Sequence, residues 1–129
     1  MTGILIKGLI GTTIGISTYL LGAVDNLLLA LIAMVGLDFT TGIIKAITLR
    51  ELDSRKMFFG GLQKIGVFLL VAVANLIDGV LELGGVLRVV TISYFIANEG
   101  MSLLENWALM GLPIPDKLKL VLSQLKNKK

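Results

Sequence analysis

The sequence contains no cysteine and no histidine. Without cysteine the chain has no disulfide bonds and no thiol chemistry, and without histidine it lacks the residue used most often in zinc and haem sites. Histidine is also the commonest acid–base catalyst near neutral pH. These absences exclude most metal centres and every histidine-dependent reaction, so we expect no cofactor and no metal.

Charged residues are also scarce. They make up 16% of the 129 residues, against about 25% in a typical soluble domain. Hydrophobic residues make up 55%, and the mean hydropathy is +0.89. A soluble protein of this size has too little interior to hide so much apolar surface from water. The composition predicts a small integral membrane protein with a single domain, 1–129.

Four apolar stretches are candidate membrane spans, because about 20 apolar helical residues cross the roughly 30 Å hydrocarbon core of a bilayer. They are residues 8–24, 27–46, 65–81 and 89–109. The first either spans the membrane or lies on its surface, and the last is the least apolar. We therefore predict an all-α membrane protein with three to four transmembrane helices.

Small residues recur along the first stretch. Steps of three and four separate Gly8, Gly11, Gly15, Thr18 and Gly22, which places them on one face of a helix. In lipid, faces of small residues let helix backbones approach closely. The spacing predicts a helix-packing face, and a flexible, glycine-rich segment on the membrane surface is the alternative.

Polar and charged residues interrupt the other three stretches. Asp38 lies inside the second stretch, and the further candidates in the third and fourth are Asn75, Asp78, Asn98, Glu99, Ser102 and Glu105. A carboxylate in a membrane helix is costly to bury and is usually paired or in contact with water. We expect these side chains to pair with Lys45, Lys64 or Arg88, to line helix contacts, or to face a water-filled lumen.

So many polar residues are difficult to satisfy within one copy of a short membrane chain. In an oligomer, the polar faces of neighbouring copies would meet each other or share a lumen. The sequence therefore predicts that the protein binds to copies of itself in the lipid bilayer.

No motif of a membrane enzyme is present. Serine intramembrane proteases pair serine with histidine, and aspartyl intramembrane proteases require Gly-x-Gly-Asp where this chain has Gly36-Leu37-Asp38. A glycine-rich phosphate loop is also absent. A metal or acid–base pair formed by the buried carboxylates is the less favoured interpretation, so we predict that the protein is not an enzyme.

A basic amphipathic helix is predicted in residues 116–127. Its apolar residues have the i, i+3, i+4, i+7 spacing of an amphipathic helix, at Leu118, Val121, Leu122 and Leu125. The surrounding lysines are Lys117, Lys119, Lys126, Lys128 and Lys129. This combination is typical of a helix on the surface of an anionic leaflet, and a solvated basic tail is the alternative.

Basic residues also predict the orientation, because loops rich in lysine and arginine stay in the cytoplasm. They cluster in residues 45–64 and after residue 116, so both regions, and with them the C-terminus, are predicted to be cytoplasmic. The N-terminus is cytoplasmic if there are four spans and outside if there are three. No aromatic platform accompanies the basic residues, so we predict no nucleic-acid partner.

Four segments carry a family resemblance. They are LDFTTGIIKA (37–46), GGLQKIGVFLLVAVANLID (60–78), YFIANEGMSLLEN (94–106) and GLPIPDKLK (111–119). In this order they resemble the toxin-secretion/phage-lysis holin family, and the elements around IANEG and PIP are the most specific. The first 35 residues are similar only in general character.

The resemblance implies a function that composition does not. Holins of this family oligomerise in the cytoplasmic (inner) membrane of the bacterial host and form lesions. An endolysin then escapes to the peptidoglycan, or in some relatives a large protein toxin is released, and neither binds the holin stably. Asp38 and Glu99 would bias the timing of lysis, and an antiholin is a further partner that the residues leave open. The alternatives are a small oligomeric ion or solute channel and a membrane scaffold.

Overall fold

A computed structural model describes residues 1–127, and it confirms the all-α class. Its five helices are α1 (Thr2–Leu21), α2 (Asn26–Thr48), α3 (Ser54–Leu81), α4 (Val86–Leu109) and α5 (Asp116–Asn127). Within these residues, α1, α2 and α3 are long and apolar enough to cross a membrane. Helix α4 is long enough but carries Arg88, Glu99 and Glu105, so its crossing remains a prediction.

Aspartates begin two of these helices. The Asp25 side chain accepts a hydrogen bond from the Leu28 backbone N–H at 2.9 Å and caps α2. Asp53 accepts one from the Arg55 N–H at 2.9 Å and caps α3. Such caps satisfy backbone donors that have no partner inside the helix. Because α3 begins at Ser54, it extends well before the predicted span 65–81.

The core lies between α2, α3 and α4. Six of its buried apolar side chains form one cluster, made of Leu28, Leu31, Val35, Val67, Val71 and Ile92. Helix α4 packs along both α2 and α3. These three helices form a bundle whose outer surface is covered by exposed apolar side chains, as expected for helices that face lipid.

Helix α1 stands apart from this bundle. None of its residues is buried, and the helix that it packs against is α3. A Cβ atom placed on Gly8, Gly11 or Gly15 would meet nothing within 4 Å outside its own helix. The predicted small-residue face therefore has no partner in the chain at these positions, whereas Gly22, just after the helix, is in close contact with α3 and α4.

Helix α5 occupies the segment predicted to be amphipathic. It follows a connection that contains Pro113 and Pro115, and it packs against α4. The side chains of Leu118 and Val121 are exposed. Lys128, Lys129 and the side chains of Leu122, Leu125 and Lys126 lie outside the part that the structure describes, so the role of α5 at the membrane surface stays a prediction.

Candidate functional site

Three helices each contribute one charged side chain to a cluster inside the bundle. The ammonium group of Lys64 on α3 forms ion pairs with a carboxylate oxygen of Asp38 on α2 and one of Glu99 on α4. Asp38 is 4% exposed and Glu99 is 3% exposed. We call Asp38, Lys64 and Glu99 the inner cluster.

Two neutral side chains extend the inner cluster on the Asp38 side. The Asn106 amide donates to Asp38 Oδ1 and to Thr41 Oγ1, both at 3.2 Å. The Thr41 hydroxyl donates to the Asp38 backbone carbonyl at 3.0 Å. Asp38 and Thr41 are three residues apart on α2, so they share a helix face. Asp38 therefore has two side-chain donors, Lys64 and Asn106.

The inner cluster lies deep in the bundle. A helix rises about 1.5 Å per residue, so Asp38 is about 15 Å along the axis from the end of α2 at Thr48. That distance is about half the hydrocarbon thickness of a bilayer. A cavity of about 280 Å³ reaches this level, and its lining includes Asp38, Lys64 and Asn106 together with Glu51 in the α2–α3 connection.

A second cluster joins the end of α1 to the bundle, at the end that lies away from the α2–α3 connection. The guanidinium of Arg88 on α4 donates from Nε to the Leu21 carbonyl at 2.7 Å and from Nη2 to the Ala23 carbonyl at 2.8 Å. Its Nη1 donates to Asp25 Oδ2 at 2.8 Å. The Leu21 carbonyl belongs to the last turn of α1, where carbonyls have no partner inside the helix, and Ala23 lies in the connection to α2. We call Gly22, Asp25, Asn75 and Arg88 the outer cluster.

Gly22 is required for this contact. Its φ is +82°, and a Cβ atom there would lie 2.5 Å from Arg88 Nε and 2.9 Å from Asn75 Oδ1. The Asn75 amide donates to the carbonyls of Tyr19 and Leu20, each at 3.0 Å. A side chain at Gly22 would therefore separate α1 from both α3 and α4. The positive φ also explains how four residues suffice to join α1 to α2.

Asp78 has a structural role beside the outer cluster. Its carboxylate accepts from the backbone N–H groups of Leu87 at 3.0 Å and Arg88 at 2.6 Å. It is 5% exposed and satisfies the first donors of α4 from the last turns of α3. This contact sets the start of α4 and holds the Arg88 backbone in place.

Arg88 also controls the ionisation of Asp25. Its hydrogen bond, followed by the one from the Leu28 N–H, lowers the pKa of the Asp25 carboxyl from 3.8 to about 2. The side chain is 43% exposed, so solvent screens the pair and its contribution is small. Because the pKa is lowered on folding, the contribution is complete above pH 3.8 and is lost as the pH falls towards 2.

We expect this pair to give the protein a measurable acid sensitivity. Thermal unfolding of the detergent-solubilised chain would be followed by circular dichroism. The midpoint temperature of unfolding should decrease as the pH is lowered from 3.8 to 2. Asp25→Asn keeps a good helix cap but removes the titrating group, so its midpoint should fall less over the same interval. Equal decreases in both proteins would show that Asp25 contributes nothing to the acid response.

The other predicted polar residues of α4 lie in different surroundings. Asn98 and Ser102 are half-buried, and Ser102 lines the cavity beside the inner cluster. Glu105 is exposed and belongs to neither cluster. The sequence singled out Asn98, Ser102 and Glu105 together with Glu99, but the polar side chains that the structure buries in this part of α4 are Glu99 and Asn106.

Sequence reasoning named neither Thr41 nor Asn106 as a site residue, and it gave Gly22 only a general packing role. A signal for the first two exists, because Thr41 is three residues from Asp38 and Asn106 is seven residues from Glu99. Such spacing keeps both members of a pair on one helix face. No comparable signal identifies Gly22, because its role depends on the position of the Arg88 side chain, which belongs to a distant helix.

The expectation that one copy has difficulty in satisfying its polar residues is wrong for the buried side chains. Among the described residues, every buried side-chain nitrogen and oxygen atom has a hydrogen-bond partner. The physical reason is that the helices direct their charged groups to common points, where Lys64 and Arg88 form ion pairs with the carboxylates. Polar satisfaction therefore gives no argument for an oligomer.

Known proteins resemble this chain over most of its length. The model of the bacteriophage holin family matches residues 15–127. A "Probable holin" of Bacillus phage phi105 is 46% identical over 97 residues, which cover 75% of this chain and 71% of the relative. No solved structure matches the chain.

Two further relatives come from bacteria. The "Uncharacterized protein YqxH" of Bacillus subtilis is 42% identical over 86% of this chain and 79% of its own length. The "Uncharacterized 14.9 kDa protein in nagH 3'region" of Clostridium perfringens is 44% identical over 87% of this chain and 86% of its own length. The similarity therefore extends to relatives found in a phage and in two bacterial species.

Proposed function

Because this chain belongs to the bacteriophage holin family, we propose that it forms lesions in the bacterial cytoplasmic membrane through which an endolysin or a large toxin leaves the cytoplasm. The observation that carries the proposal is the inner cluster, in which three helices bury a charged network within a bundle of apolar exterior. A bundle of this kind is stable in lipid while closed and offers polar faces to water when its helices separate.

The orientation that we propose has four crossing helices and both ends in the cytoplasm. Helix α4 would cross because α2 and α3 cover Glu99 and Asn106, and its exposed side is mostly apolar apart from Glu105 near its C-terminal end. Basic residues flank the α2–α3 connection, at Arg50, Arg55 and Lys56. Loops with this charge stay in the cytoplasm. Helix α5 would then lie on the cytoplasmic leaflet.

The closed bundle and the lesion would differ in what surrounds the inner cluster. In the closed bundle, Asp38 and Glu99 are paired with Lys64 and shielded from lipid. If the helices separate in lipid, these charges lose their partners at a cost of several kcal/mol. If the helices of several copies separate at the same time around a shared lumen, water replaces the lost partners of these charges. Lesion formation is therefore cooperative, and single copies remain closed.

Release of a protein-sized cargo tests this function. We expect abrupt lysis when the chain is expressed in a bacterium that also makes a cytoplasmic endolysin without a signal peptide. Culture turbidity, membrane potential and endolysin activity outside the membrane would be followed together. A matched strain with a catalytically inactive endolysin should depolarise without lysing, because the lesion alone does not cut peptidoglycan.

Two outcomes would contradict the proposal. Depolarisation without escape of active endolysin would indicate a small ion or solute channel. Normal growth and an unchanged membrane potential, with the chain present in the membrane fraction, would indicate a scaffold.

A further inference from the structure

The inner cluster has an uneven number of charges. Two carboxylates, on Asp38 and Glu99, share the single ammonium group of Lys64. With all three groups ionised the cluster has one uncompensated negative charge. An uncompensated charge is costly within a membrane bundle and is usually neutralised by a partner or a proton.

Charged residues near the cluster do not correct this imbalance. The cavity beside it is also lined by Lys45 of α2, Lys56 of α3, and Glu51 and Asp53 at the connection between these helices. Their two positive and two negative charges cancel. From α4, the side chains that line the cavity are the neutral Ser102 and Asn106. The excess negative charge therefore stays with Asp38 and Glu99.

We propose that the inner cluster is a binding site for one exchangeable proton, shared between two carboxyl groups and carried mainly by Glu99. Asp38 accepts side-chain hydrogen bonds from Lys64 at Oδ2 and from Asn106 at Oδ1, so each of its carboxylate oxygens already has a donor. Among the hydrogen bonds of the described residues, Glu99 accepts one, from Lys64. A protonated Glu99 still accepts that bond through its carbonyl oxygen, so the contact between α3 and α4 is kept.

The cavity supplies a route for the proton. It reaches Lys64 and Asp38 from the side of the α2–α3 connection. The ammonium group of Lys64 passes a proton to the Glu99 carboxylate and becomes a neutral amine. The amine then takes a proton from a hydronium ion in the cavity and leaves a water molecule. The net change is one proton gained by the cluster, whose charge goes from −1 to 0.

Proton occupancy has a consequence that rests on the proposed function. The neutral cluster suits the closed bundle in lipid, whereas the negative cluster favours contact with water and so favours the lesion. Loss of the proton should therefore advance lysis. Glu99→Gln, which leaves one carboxylate for one lysine, should delay lysis relative to the unchanged chain at equal amounts in the membrane.

Infrared spectroscopy of the purified full-length chain in lipid bilayers tests the site directly. We expect one protonated carboxyl band per chain at neutral pH, which disappears after a step to alkaline pH. The band should be absent in both Asp38→Asn and Glu99→Gln, because either substitution leaves one acid paired with one lysine. It should persist in Glu105→Gln, which changes an exposed carboxyl on the same helix as Glu99.

Three results would overturn the proposal: no protonated carboxyl band in the unchanged chain, a band that persists in Asp38→Asn or Glu99→Gln, or a band lost in Glu105→Gln. Circular dichroism of each variant would check that its helices are kept. Asp38→Asn and Glu99→Gln both preserve the shape of the side chain. The infrared result does not depend on lysis, so failure of the proton site and failure of the lesion function are distinguishable.

Discussion

Lys64→Met is expected to lower the stability of the helix bundle more than any other single change at a charged residue. The substitution keeps an apolar chain of similar length but removes the one cation that Asp38 and Glu99 share. Leaving buried charges without their partner costs about 3 kcal/mol. Thermal or denaturant unfolding of the detergent-solubilised protein would measure the loss of stability. In cells, the variant should cause lysis earlier than the unchanged chain when equal amounts of the two proteins are in the membrane.

A control and a rescue distinguish charge from packing. Lys56→Met changes an exposed lysine on the same helix and should leave the unfolding midpoint nearly unchanged. A triple variant without charge in the cluster combines Lys64→Met with Asp38→Asn and Glu99→Gln. It should recover most of the stability that Lys64→Met loses, since neutral replacements of buried ion networks are often tolerated. An unfolding midpoint that does not change in Lys64→Met would contradict the importance of the cluster.

Gly22→Ala is expected to detach α1 from the bundle. The added Cβ would lie 2.5 Å from Arg88 Nε, and the positive φ of Gly22 strains any residue with a side chain. Strain of this kind and the loss of hydrogen bonds from a charged donor together cost about 2 kcal/mol or more. The loss falls on the contacts of α1 and leaves the packing of α2, α3 and α4 intact.

Spin-label distances would show the detachment. The chain has no cysteine, so labels attached at Thr12→Cys and Leu69→Cys report only on α1 and α3, and both positions are exposed. The distance distribution should broaden strongly in Gly22→Ala. It should not change in Gly15→Ala, where a Cβ meets nothing within 4 Å. A narrow distribution in Gly22→Ala would mean that Arg88 does not fix α1.

The contrast between Gly22 and the other small residues of α1 has a consequence for assembly. Gly8, Gly11 and Gly15 remain a predicted packing face without a partner in the chain. The structure explains how α1 is held at one end, by Arg88 and Asn75, and leaves the rest of the helix open to lipid. Gly15→Ala is therefore neutral for the single chain, and any effect on lysis would come from contacts between copies.

Much of this protein could be predicted because the signals are local. Composition and the length of the apolar stretches determine a membrane helix protein, since each helix satisfies its own backbone in lipid. Asp53 marks the start of α3 because a capping side chain acts within a few residues of itself. The residues that resemble holins, including LDFTTGIIKA and IANEG, identify the family without any knowledge of their contacts.

Helix rotation was the main quantity that the sequence left open. Asn98, Ser102 and Glu105 share one face of α4, and Glu99 and Asn106 share the next, about 100° away. Both faces contain polar residues, so their pattern does not show which one meets α2 and α3. Packing decides it: Glu99 and Asn106 are buried while Glu105 is exposed.

The sequence by itself determined the helices, their apolar length, the family and the presence of charges that need partners, because all of these depend on neighbouring residues. Only the tertiary structure decided which charges meet. Lys64 is 26 residues from Asp38 and 35 from Glu99, and Arg88 is 63 residues from Asp25. Pairs so distant in the chain depend on how whole helices pack, and that packing makes each cluster from residues of at least three helices or connections.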